Sequence, residues 1–378
     1  MAAEDLPEPD RLEGAPHPRE VFRLYGHEKP EEEFLRSFNS GRLHHGWLIS
    51  GPRGVGKATL AWRIARFLLT APDPNAGGGL FGAPEPPTSL DTSPDDPVSR
   101  RMAALAEPRL FLLRRGPNER ETALSADIRV DEVRKMKSFF ALSAADGGHR
   151  VAIIDAADDL NVAGANALLK LLEEPPPRAT FLVITHQPHR LLPTIRSRCR
   201  DLRLGPLPAE PLAKALEMAG GMVLPEDTGP LAELAGGSVG EAFRLSHLDG
   251  LKLYRHLIDL FATMPRMNRT AAAALAESAS GKAAEERFDL IVTLIDLFLS
   301  RLARAGTLRT LPPEAAPGES DLITRLVPDA YVARAWADVA QSLTLRIRQG
   351  KAVNLDPAAL LLDSFLKLDE TAGSLARR

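Results

Sequence analysis

The sequence predicts an α/β domain followed by an all-helical remainder, and three observations point that way. Apolar runs of strand length (Gly46 to Ser50, Val151 to Asp155, Thr180 to Thr185) alternate with helical patterns through the amino-terminal half. The last two runs lack polar alternation, as expected of parallel strands covered on both faces. After Gly205-Pro206-Leu207-Pro208 only helical periodicity remains. The expected domains are 1–205, 206–250 and 251–378.

In chain order, residues 1–22 read as a polar, proline-marked arm, followed by a short helix from Glu31 to Phe38. Gly46 to Ser50 leads into a glycine-rich turn and a helical pattern from Ala58 to Thr70, the opening unit of a parallel sheet. Residues 71–100 hold seven prolines and four glycines, too many for a helix or central strand, and are expected to form an exposed excursion. The sheet resumes at Arg109 to Leu113. Asp131 is placed to cap a helix carrying Val133, Met136 and Phe140. A helix from about Gly164 to Glu174 must stop at Pro175-Pro176-Pro177. Residues 209–248 read as short helices broken at Gly220-Gly221 and Gly236-Gly237. Beyond Leu251 the segments are longer. Phe288, Ile291, Ile295, Phe298 and Leu302 line one face there, and Leu290, Leu294 and Leu297 another, so this helix is expected to lie among others.

Composition narrows the function. The 378 residues carry 47 basic and 50 acidic side chains, a formal charge of −3, which argues against a surface built as a whole for nucleic acid or anionic lipid. A single cysteine, Cys199, excludes an intrachain disulfide and a multi-cysteine zinc site. The first thirty residues carry acids and prolines in place of a basic start and apolar run, so a cytosolic location is expected. Phe288 to Leu302 is interrupted by Asp289, Asp296 and Arg301, which a membrane-spanning helix would bury at high cost.

The chemistry sits first in Gly51, Pro52, Arg53, Gly54, Val55, Gly56, Lys57, Ala58 and Thr59, close to the phosphate-cradling pattern G-x-x-x-x-G-K-[ST]. The glycines let backbone N–H groups curl round a phosphate, Lys57 would reach the outer phosphates, and the helix start adds a favourable field. A tight turn that merely joins strand to helix is the alternative. Ala58 stands where a magnesium-ligating hydroxyl belongs, and Thr59 is about 100° further round the helix. Asp155 closes its strand where a carboxylate could hold magnesium through water, but Ala156 follows it, and a methyl group accepts no proton. Asp158 lies beyond the strand end and is not assigned the base role.

Four stretches resemble the clamp-loader AAA+ subunits of bacterial DNA polymerase III: LHHGWLISGPRGVGKATLA (43–61), HRVAIIDAADDLN (149–161), NALLKLLEEPPPRATFLVIT (166–185) and LLPTIRSRC (191–199). KAVNLDPAALLLDSFLKL (351–368) resembles the family's last collar helix. The likeness is weakest in 71–127 and 255–345. It implies an AAA+ P-loop domain with a parallel sheet, a small helical lid domain and a carboxy-terminal helical collar. The family has motor subunits (gamma or tau) and a stator, delta-prime, whose own nucleotide site is degenerate. Ala58, Ala156, Gly240 where a motor carries a sensor arginine, and His186 at the other sensor position all resemble the stator. The resemblance then implies ATP or ADP binding without hydrolysis, gamma/tau and delta subunits as partners, and the sliding clamp and primed DNA reached through the complex. Ser197-Arg198-Cys199 matches the family's trans-acting arginine motif, so Arg198 is expected to reach a neighbour's nucleotide. A solvated basic rim of Arg196, Arg198, Arg200 and Arg203 is the plain alternative. Many members carry a four-cysteine zinc module that this cysteine-poor chain lacks, so no metal is carried over. The competing assignments are an active gamma/tau-like motor ATPase and a stand-alone P-loop ATPase or nucleotide kinase. Cys199, His44, His45, Trp47, Phe139 and Phe140 are expected to serve packing or surface hydrogen bonds.

Overall fold

A computed structural model describes residues 6, 8–71, 85–118, 120, 122–141, 148–280 and 285–377. The chain divides into two compact units, one of residues 1–220 and 237–240, the other of 221–236 and 241–378.

The first unit contains a five-stranded parallel sheet in the order β2-β3-β4-β1-β5. Its elements are α1 (Glu28–Asn39), β1 (Gly46–Ser50), α2 (Lys57–Thr70), α3 (Pro97–Ala103), β2 (Leu110–Arg114), α4 (Val130–Ala141), β3 (Arg150–Asp155), α5 (Val162–Glu173), β4 (Ala179–Thr185), α6 (Pro193–Arg196), β5 (Arg200–Arg203) and α7 (Ala209–Met218). Side chains alternate across the sheet with period two. Trp47, Ile49, Val151, Ile153, Leu182 and Ile184 point to the face covered by Leu60, Ile64 and Leu68 of α2. Leu48, Ala152, Ile154, Phe181 and Val183 point to the face covered by Met136 of α4 and Leu168 of α5. Two covered faces explain the uninterrupted apolar runs.

Several local expectations change. β5 is a strand whose only buried side chain is Leu202, too little to mark it in the sequence. The excursion at 71–100 falls partly on 72–84, outside the described residues; its end forms α3, with Pro97 in the first turn, where no N–H is needed, and Asp96 capping Val98 N at 2.7 Å. Asp131 lies inside the first turn of α4, not at its cap. At α5 the cap is Asn161, which accepts from Gly164 N at 2.8 Å. Within the expected arm, residues 8–22 are docked: His17 is buried, its Nδ1 accepts from Arg19 N at 3.0 Å, and its Nε2 lies 3.2 Å from Asp10.

The second unit is helical: α8 (Thr228–Ala235), α9 (Val239–His247, whose first residues count with the first unit), α10 (Gly250–Ala262), α11 (Arg269–Glu277), α12 (Glu285–Leu308), α13 (Glu319–Leu326), α14 (Ala330–Ala352) and α15 (Pro357–Leu375). Phe288, Leu290, Ile291, Leu294, Ile295, Phe298 and Leu302 are buried, as a helix apolar over most of its circumference requires. The segment 351–368 is not one helix: α14 ends at Ala352 and α15 restarts at Pro357, capped by Asp356 accepting from Ala359 N at 2.9 Å. Arg301 is buried in α12 against Glu319, which accepts from Arg301 Nε at 2.7 Å, Tyr254 Oη at 2.7 Å and Ala315 N at 2.8 Å. Among the described residues no helix is long and apolar enough to cross a membrane.

Candidate functional site

The loop between β1 and α2 turns on left-handed glycines. Gly51 has φ +147°, and a Cβ there would lie 2.2 Å from Leu204 O; at Gly54, φ +73°, it would lie 2.1 Å from Ser238 Oγ. Any side chain would therefore open the loop. Val239 N and Gly240 N donate to Gly54 O at 2.9 and 3.3 Å, fastening the segment 237–240 onto the loop. Val55 is fully buried, and its carbonyl accepts from His27 Nε2 at 2.8 Å. Lys57 opens α2, is itself buried, and donates to Pro52 O. Burial pulls its pKa down to about 8 against the attraction of Asp155 and Asp158, with Arg53 adding repulsion.

Across from Lys57, at the end of β3, burial pushes the Asp155 pKa up to about 7, and the Asp10 carboxylate adds to the rise while Lys57 opposes it. Asp10 is brought there by Arg114, which pairs with it and whose Cα faces that of Asp155 in the sheet register. Ala156 follows, buried. Asp158 accepts from Thr185 Oγ1 at 2.9 Å, His186 N at 2.7 Å and Gln187 N at 2.9 Å. Burial works to raise its pKa, but these donors outweigh it and hold the carboxyl below its ordinary value. Its work is to tie the end of β4 to β3. Burial and then the Lys57 cation lower His186 to about 4, so its ring is neutral at pH 7.

Arg198 lies elsewhere. A Cβ on Gly46, the first residue of β1, would sit 3.0 Å from Arg198 O and 3.1 Å from Cys199 Sγ, so Arg198 flanks the start of the strand whose end feeds the phosphate loop. The four steps from Gly46 to Ser50, at about 3.3 Å each, separate the two by roughly 13 Å along the strand. The guanidinium forms an ion pair with Glu173, Nη2 lying 2.9 Å from Oε1, and donates from Nη1 to Thr194 O at 3.1 Å and to Ser197 Oγ at 3.5 Å. Burial raises Cys199 to about 12, so the thiol is inert. His45 Nε2 meets Leu172 O at 3.0 Å and His44 Nδ1 meets Gly46 O at 2.8 Å, both structural contacts.

Residues 26–208 match the family described as DNA polymerase III, delta subunit. The DNA polymerase III subunit delta' of Pseudomonas aeruginosa is 36% identical over 256 residues, which are 66% of this chain and 70% of that protein. The chain belongs to the clamp-loader subunit family of bacterial DNA polymerase III. A gamma/tau subunit from Mycobacterium bovis is 30% identical over 230 residues, 58% of this chain but 35% of its own length. A gamma subunit-related protein from Thermotoga maritima superposes with a TM-score of 0.43 at 18% identity, covering 90% of this chain and 99% of that one.

Within this clamp-loader chain, Gly51, Pro52, Gly54, Val55, Gly56, Lys57, Ala58 and Thr59 form one loop and helical turn, with Asp155 within electrostatic reach of Lys57. Arg198 is not brought to them. The glycine cradle and Lys57 fit a phosphate group. The residues fit magnesium poorly: Ala58 offers a methyl group, and Asp158 is committed to three donors. Sequence reasoning missed Asp10, Arg114 and Glu173. Only Glu173 left a trace, as a carboxylate ahead of the prolines that stop α5.

Proposed function

We propose that this chain is the stator of a clamp loader: a delta-prime-type subunit that completes a motor's site without burning nucleotide itself. It would assemble with gamma/tau motor subunits and a delta subunit in the cytosol and support ATP-dependent loading of the sliding clamp onto primed DNA. Its own loop would take the phosphates of ATP or ADP without turning them over. The observation that carries this assignment is the separation of Arg198 from the chain's own phosphate loop by the length of β1. A guanidinium so placed has no triphosphate of its own to serve. Exposed to about a third, it is free to meet one held by an adjacent subunit. There a planar cation would neutralise charge that builds on the outer phosphate oxygens during transfer. Polymerase chemistry would belong to other members of the assembly.

Similarity to gamma/tau subunits and an intact Lys57 favour the second assignment, an active motor. ATP turnover decides between them. The isolated chain should release no phosphate above background, and Arg198→Ala should leave it folded while slowing ATP turnover by the reconstituted complex. Sustained turnover by the isolated chain, abolished by Lys57→Ala, would establish the motor. Unchanged turnover by the Arg198→Ala complex would remove the trans-acting role.

A further inference from the structure

We infer that Glu173 is the positioning residue for Arg198: its carboxylate holds the guanidinium in the orientation that meets the neighbouring subunit's nucleotide. The inference rests on the trans-acting assignment above and deepens it.

An arginine side chain carries about 2 kcal/mol of rotamer entropy, and a free one would lose most of it on engaging a phosphate. Here much of that freedom is already gone. The backbone of Arg198 is wedged beside Gly46, where even a methyl group would press on Arg198 O at 3.0 Å. The guanidinium is gripped from two directions, by Glu173 Oε1 on Nη2 and Thr194 O on Nη1. Both grips come from rigid ground. Glu173 is the last residue of α5, behind the buried Leu171 and Leu172, and Leu172 O is itself held by His45 Nε2 at 3.0 Å. Thr194 lies in α6, whose Ile195 is fully buried. A guanidinium has five N–H donors; Nη1 is turned to Thr194 O and Ser197 Oγ, and Nη2 faces the Glu173 carboxylate. With Nη1 donating also to Ser197 Oγ at 3.5 Å, Nε and a hydrogen of Nη2 are left for phosphate oxygens. In the neighbour's site water attacks the outer phosphorus, the bridging P–O bond breaks with its electron pair leaving on ADP, and the water's proton passes to solvent. Glu173 touches none of these atoms and acts only by aiming Arg198.

The experiment is a kinetic double-mutant cycle in the reconstituted clamp loader. Glu173→Ala should lower kcat for ATP about threefold to fivefold, the scale of an exposed ion pair, with KM unchanged. Glu173→Gln, which keeps an oxygen acceptor, should recover part of the loss. In an Arg198→Ala background Glu173→Ala should cost nothing further, which a merely structural residue would not obey. On the isolated chain, Glu173→Ala should lower the order parameter of the Arg198 Nε–Hε group. Wild-type or faster turnover by Glu173→Ala, alongside slow Arg198→Ala, would overturn the positioning role and leave the trans-acting arginine standing. An undiminished loss in the Arg198→Ala background would also overturn it. If Arg198→Ala itself turned over normally, both assignments would fall.

Discussion

Replacing Asp155 by asparagine should stabilise the protein at pH 8. Asp155 is isosteric with asparagine, and in the fold its pKa is raised to about 7 by burial and by Asp10, whereas in an unfolded chain it is about 3.9. The folded state therefore holds more protons than the unfolded state between about pH 4 and pH 7. Stability must fall as pH rises through that window, the full penalty being present above pH 7 and absent below pH 4. Three units at 1.36 kcal/mol each set a ceiling of about 4 kcal/mol. The attraction of Lys57 and Arg114 is already contained in the shifted pKa, so a gain of about 2–4 kcal/mol is expected at pH 8. At pH 5 it should shrink to roughly a third of that. Urea unfolding followed by tryptophan emission is a suitable assay, because Trp47 and Trp62 are fully buried against the sheet. A variant no more stable than the parent at pH 8, or a gain equal at both pH values, would refute the picture of a strained carboxylate between Asp10 and Lys57.

Two further outcomes follow from half-buried Cys199 and buried Glu319. With its pKa near 12, Cys199 should resist iodoacetamide at pH 8 in the folded chain and react promptly in denaturant; fast native alkylation would contradict the burial. Glu319→Ala should cost about 3–5 kcal/mol in the helical unit, because the Arg301 guanidinium would be left buried without its carboxylate. Replacing the pair together by leucine and methionine should recover most of that loss in urea titrations.

The parallel sheet was legible because strands covered on both faces carry unbroken apolar runs, and the glycine turn after β1 because Gly51, Gly54 and Gly56 adopt positive φ. β5 was not legible: with Leu202 alone buried among Arg200, Asp201 and Arg203, its pairing is decided by β1 beside it. The docking of the amino-terminal arm was equally hidden. It depends on Arg63 and Arg66, cations within an otherwise apolar helix that local pattern assigns to solvent. The methyl groups of Ala58 and Ala156 are read from residue type alone. The grip of Glu173 on Arg198 joins residues 25 positions apart, and no local spacing encodes it.

Those two cations of α2 set a limit on how the protein can be shortened. Arg63 reaches Glu31 at 2.7 Å, Asp91 at 3.1 Å and the carbonyl of Phe22; Arg66 takes the carbonyl of Arg19 at 2.6 Å and stacks 4.0 Å over the Phe22 ring. Cutting the chain back to residue 26, where the family match begins, would strip away the Arg19 carbonyl and the Phe22 ring and leave the buried Arg66 guanidinium without either. The stretch that looks most dispensable in an alignment is thus a cork seated in the helix that carries the phosphate loop.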